Sequence, residues 1–64
     1  MEFIQRTLEK IVISVTSREI EKEGFDAIWD KVRAAYSVNK FDVLSISADK
    51  KNNNIYFIEL KTKS

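Results

Sequence analysis

Between Lys10 and Thr16 the chain changes its period. Ile11, Ile13 and Val15 alternate with Val12, Ser14 and Thr16, an apolar row at every second residue in a β-branched segment, which predicts a half-buried strand. Directly behind it, Thr16-Ser17-Arg18-Glu19 has the form of a capping box, with a hydroxyl to accept from the N–H three residues on and a glutamate to reach back. A strand that hands over to a helix without a linker forces that helix to fold back on the sheet.

The helix is clearest from Phe25 to Ser37. At 100° per residue Phe25, Ala27, Ile28, Trp29, Val32, Ala35 and Tyr36 share one broad stripe, and Asp26, Asp30 and Arg33 point away. Glu21 interrupts that stripe upstream, and Gly24 weakens the helix. Residues 17–24 are therefore expected to overhang the sheet, to break from the main helix, or to form a short turn. Residues 2–9 are open between two readings. Ile4, Leu8 and Ile11 have helical spacing, whereas Phe3 to Thr16 reads as one long strand.

Phe41 to Ala48 alternates again, with Leu44, Ile46 and Ala48 in one row and Val43, Ser45 and Ser47 in the other. Asp49-Lys50-Lys51-Asn52-Asn53-Asn54 is a polar turn, and Ile55 to Lys61 returns with Tyr56, Ile58 and Leu60 on one face. Residues 1–64 are thus expected to form a single α+β domain, one helix on a three-stranded sheet in the order 1-3-2, the last strand lying antiparallel between two parallel neighbours. The expected core sets Ile11, Ile13, Val15, Leu44, Ile46, Tyr56, Ile58 and Leu60 against Ile28, Val32 and Ala35. Val12, Val43, Ile55 and Phe57, among Ser45, Ser47, Glu59 and Lys61, remain on a face nothing covers unless residues 2–9 fold over it.

Composition restricts the chemistry. In 64 residues there is no histidine, cysteine or proline and one glycine, so imidazole proton transfer, thiol nucleophiles, disulfides and thiolate metal sites are absent. No glycine-rich phosphate loop exists, no Ser or Thr has an identifiable activating base, and no cofactor is expected. Eleven basic and ten acidic residues leave a net charge of +1, too balanced for a protein that coats nucleic acid. No stretch is apolar enough for a membrane span and the N-terminus lacks a signal-peptide pattern, so a cytoplasmic protein is expected.

Three functions are compatible with these limits. The favoured one is a non-enzymatic protein-binding module, an inhibitor or regulator of a larger protein in the size class of phage accessory and antitoxin-like proteins. Its contact residues are expected among Phe25, Trp29 and Tyr36 on the helix and Val43, Ile55 and Phe57 on the uncovered face, with homodimerisation through a sheet edge or the outer sheet face as a variant. The second is nucleic-acid binding through Lys40, Lys50, Lys51, Asn53, Lys61 and Lys63, which supply cations for phosphate and an amide for base edges. The acidic series Glu19, Glu21, Glu23, Asp26 and Asp30 reads first as a solvated helix face and only second as an imitation of a phosphate backbone.

The third function rests on Phe41-Asp42-Val43-Leu44, a polar turn, and Tyr56-Phe57-Ile58-Glu59-Leu60-Lys61-Thr62. These residues resemble the central hairpin of PD-(D/E)xK nucleases, although Phe41 stands where that motif usually has proline. The resemblance implies magnesium ligands at Asp42 and Glu59 and an auxiliary cation at Lys61.

Overall fold

A computed structural model describes residues 1–7 and 9–63. The protein is α+β, with the element order β1 (Glu2–Arg6), β2 (Lys10–Thr16), α1 (Ser17–Glu23), α2 (Phe25–Tyr36), β3 (Phe41–Ala48) and β4 (Ile55–Thr62). The four strands form one open sheet in the order β1-β2-β4-β3, every neighbouring pair antiparallel. Strands β2, β4 and β3 take the expected relative order, with β4 between two strands that run parallel to each other.

The sheet has one more strand than expected because residues 2–6 follow neither reading of the sequence. They are neither a helix nor the start of a long strand, but the first arm of a hairpin. Thr7 makes the reversal, its N–H donating to the Lys10 carbonyl at 2.7 Å while its hydroxyl accepts from the Lys10 N–H at 3.0 Å. Leu8, invoked in the helical reading, lies outside the described residues. β1 therefore lies beside β2 and does not fold over the outer sheet face.

Two bulges decide which side chains face the helices. In β1, Phe3 pairs with Ile13 and Gln5 with Val12, leaving Ile4 without a partner. In β3, Val43 pairs with Leu60 and Ser45 with Glu59, leaving Leu44 without one. Directly opposed residues share a face, and an inserted residue reverses the alternation beyond it. Val43 therefore joins Leu60 on the helix side, correcting its expected place on the outer face. Phe41, Ile46 and Ala48 share that side.

The fully buried core is Ile11, Ile13, Val15, Ile28, Val32, Ile58 and Leu60, from the two central strands and α2. Tyr56 packs against it partly buried. Leu44 and Ile46, expected in the core, are 53% and 48% exposed, and Ala35 is exposed. For Leu44 and Ile46 the reason is lateral: β3 is an edge strand, and the α2 side chains Trp29 and Arg33 meet it at Phe41.

Thr16 caps α1 as its sequence promises, accepting from the Glu19 N–H at 3.1 Å, but Glu19 pairs with the Met1 amino group at 2.6 Å. Residues 17–23 are helical, and the break falls at Gly24 (φ 82°, ψ 162°), whose N–H closes α1 on the Ile20 carbonyl at 2.9 Å. That backbone conformation is essentially restricted to glycine. α2 stops at Tyr36, one residue short of the expected end, because Ser37 turns left-handed (φ 54°) and the Val38 N–H returns to the Arg33 carbonyl.

Candidate protein-docking surfaces

The helix-side seam between α2 and β3 carries exposed apolar side chains, Phe25, Val43 and Ile46. Phe25, at the first position of α2, stacks on Trp29 with ring centroids 5.5 Å apart, and Trp29 meets Phe41 of β3 edge-on at 5.6 Å. The Arg33 guanidinium lies 5.1 Å from the Phe41 centroid and covers its end of the row. At the other end Ser17, Ile20, Glu21, Phe25, Ile46 and Tyr56 line a mainly apolar cleft of about 310 Å³. Phe25 is 37% exposed and Val43 44%, so rings and edge-strand side chains form a nearly continuous strip beside Ile46.

The helical spacing that groups Phe25, Trp29 and Tyr36 does not make them one surface. Tyr36 lies on the opposite flank, where Phe3 meets its ring edge-on at 4.8 Å and the Arg6 guanidinium sits 4.8 Å from its centroid. Arg6 Nη2 also donates to the Tyr36 carbonyl at 3.5 Å. Phe3 and Arg6 reach the helix side together only because of the β1 bulge, a displacement that side-chain alternation does not reveal. Trp29 is half-buried and packs against the core, so it is both a structural and a surface residue.

The outer sheet face keeps Val12, Ile55 and Phe57, all half-buried, and loses Val43. Phe57 stands between Ser14 and Ser47, and Val12 is opposite Gln5 and Glu59, so apolar and polar side chains interleave. Ion pairs Lys10–Glu59 at 3.4 Å and Lys63–Asp42 at 3.1 Å border the face, both solvent-exposed. This face is patchier than the helix-side seam.

Asp42, Glu59 and Lys61 do come together: Asp42 is directly opposite Lys61, and Glu59 is two residues along the same face. Each carboxylate is engaged by a different lysine, Lys63 for Asp42 and Lys10 for Glu59. Among the described residues no group of three or more carboxylates is placed to hold a metal ion. The lysines of the nucleic-acid reading divide. Lys50, Lys51 and Asn53 occupy the β3–β4 turn, whereas Lys40, Lys61 and Lys63 lie at the other end of those strands, where the Lys63 N–H donates to the Lys40 carbonyl.

Two further ion pairs tie the helices. Lys31 reaches from α2 to Glu23 of α1 at 2.7 Å across the Gly24 break, and Arg33 meets Asp30 at 3.1 Å within α2. The lysine hydrogen bond holds the Glu23 carboxyl below its ordinary pKa of 4.5, against a smaller opposing effect of desolvation. No described helix is long and apolar enough to cross a membrane. Compared with known protein families, curated proteins and solved structures, the chain matches none.

Proposed function

We propose that this chain is a non-enzymatic protein-binding module, an inhibitor or regulator that acts by occupying a surface of a larger protein. The observation that supports this reading is the seam of Phe25, Trp29, Phe41, Val43 and Ile46, where aromatic rings are held by one another at the rim of an apolar cleft. Rigid, partly exposed aromatics lose little conformational entropy on docking and dominate binding energy in interfaces of this kind. The two outer-face carboxylates, Asp42 and Glu59, are instead paired with Lys63 and Lys10.

The test is capture from the native host's lysate on immobilised protein, with mass analysis and then quantitative binding of whatever is retained. Phe25→Ser removes an exposed ring from the seam, and Phe57→Ser removes a half-buried ring from the outer face. Loss of a seam ring should weaken binding by roughly 30-fold or more, as expected for a central aromatic anchor. Phe57→Ser should leave it within a few-fold. If both variants keep the wild-type circular dichroism and every captured partner, the seam is not the docking surface.

A further inference from the structure

We infer that β3 is the self-association edge of this protein, pairing antiparallel with β3 of a second copy to make a two-fold symmetric, eight-stranded sheet. This goes beyond the docking proposal, because it concerns pairing along the backbone edge of β3, whose Phe41, Val43 and Ile46 side chains also belong to the seam. Its starting point is the difference between the two sheet edges. β1 has five residues, begins with Glu2 and ends with Arg6. β3 has eight, and after Asp42 it carries only Val43, Leu44, Ser45, Ile46, Ser47 and Ala48, all exposed. A long edge without lysine or proline is a template for another strand, interrupted in β3 by the bulge at Leu44.

Only some registers let a strand pair with itself. Taking positions from the β4 partners, a two-fold axis at Ser45 sets Ser45 against Ser45 of the second copy, Ile46 against Val43, Ser47 against Asp42 and Ala48 against Phe41, each twice. Every pair then shares a face: Ile46, Val43, Ala48 and Phe41 meet on the helix side, and the serines and Asp42 on the outer side. One step further, Lys40 comes opposite Asp49 of the second copy, since Lys40 is bonded to Lys63 and Asp49 to Ile55 at the two ends of the ladder. No like charges are opposed. An axis at Ile46 shortens the overlap and sets Asp42 against Asp49, so the Ser45 register is favoured.

The area of the monomer leaves surface for an occupant. A folded chain of 7.5 kDa is expected to expose about 4,250 Å², and this one exposes 4680 Å². The surplus is about half of one partner's share in a standard interface. Small scaffolds supplement a limited core with disulfides, metals or association, and this sequence has no cysteine for the first. A dyad perpendicular to the sheet leaves both helix layers on one side, so the two seams face each other across the axis and stay open to a third chain.

Sedimentation velocity on the wild-type chain, from about micromolar to millimolar concentration, should show a dimer of twice 7.5 kDa, and a monomer throughout that range overturns the inference. Leu44→Asp puts two carboxylates beside the axis at a position with no β4 partner, and should weaken association at least about 100-fold. Should that variant fail to fold, Ser45→Cys decides independently. Residues opposed across the axis have Cβ atoms close enough for an interchain disulfide, so mild oxidation should yield a covalent dimer. Ile4→Cys on the β1 edge should form no covalent dimer under the same oxidation. Crosslinking of Ile4→Cys without Ser45→Cys, or a dimer that Leu44→Asp leaves unchanged, refutes the assignment.

Discussion

Gly24 is the position where backbone conformation alone should govern stability. It holds φ 82° and ψ 162°, and an added Cβ would meet nothing within 4 Å. An L-alanine therefore costs conformational strain and no collision, about 1–3 kcal/mol for so sparsely populated a region. Restricting the unfolded chain returns about 0.4–1 kcal/mol, leaving a net loss of about 1.3 kcal/mol at the centre of the two ranges. A 64-residue domain has about 3–10 kcal/mol in total, so the effect is large. With a urea dependence near 1 kcal/mol per molar, the low end for small proteins, the unfolding midpoint should fall by about 1.3 M. Chemical synthesis of the chain allows the decisive control. D-alanine at position 24 finds this backbone region as ordinary as an L-residue finds its mirror image, and should equal or exceed glycine. Because Ile20 and Phe25 flank the break and line the same cleft, Gly24→Ala should also disturb partner binding at the seam. Equal midpoints for glycine and L-alanine, or equal losses for L- and D-alanine, would refute the reasoning.

Among the described residues Ser37 is the other in left-handed backbone, and Ser37→Gly should raise stability by about 0.5–1 kcal/mol in the same urea assay, because glycine adopts the helix-ending conformation without steric cost. Glu23 gives a pH signature. Its folded pKa is depressed by Lys31, so its contribution is present above the ordinary value of 4.5 and is lost as pH falls through the folded value. Melting temperatures of wild type and Glu23→Gln should therefore differ more at about pH 6 than at about pH 3, and an opposite trend would contradict the assignment of the pair.

What could be read from residue order depended on whether an element obeys a single period. β2 has no bulge, and its Ile11, Ile13 and Val15 are buried as their alternation indicates. α2 is one uninterrupted helix, and Ile28 and Val32 face the core. β1 and β3 each contain an inserted residue, and there alternation misassigns side chains. Leu44 falls at the bulge, Val43 changes face, and Phe3 and Arg6 share one side despite being three apart. The hairpin at residues 2–10 rests on Thr7, one hydroxyl and one backbone pair without glycine or proline, which carries little sequence signal. At the candidate site, Phe25 and Trp29 were legible as a pair because four residues is nearly one helical turn. Their separation from Tyr36 was not, because it depends on which strands lie under the two ends of α2.

The exposure along β3 follows from a mismatch of widths. Four strands about 4.8 Å apart make a sheet roughly 14 Å across between its outer strand axes, whereas one helix with its side chains is about 10 Å wide. α2 covers β2 and β4, and its two flanks must be sealed by other means. On the β1 flank, Phe3 and Arg6 rise to enclose Tyr36. On the β3 flank, Phe41 and Arg33 close one end through Trp29, but Val43, Ile46 and Ala48 stay exposed. A chain with seven fully buried side chains cannot widen its helix layer without more residues. Replacing that exposed row with polar residues would be the simple route to a soluble monomer, and Ser45 and Ser47 on the outer side show that the strand tolerates them. Apolar side chains stand instead on the side where the proposed second β3 would align Ile46 with Val43, the pairing that the proposed association requires of this edge.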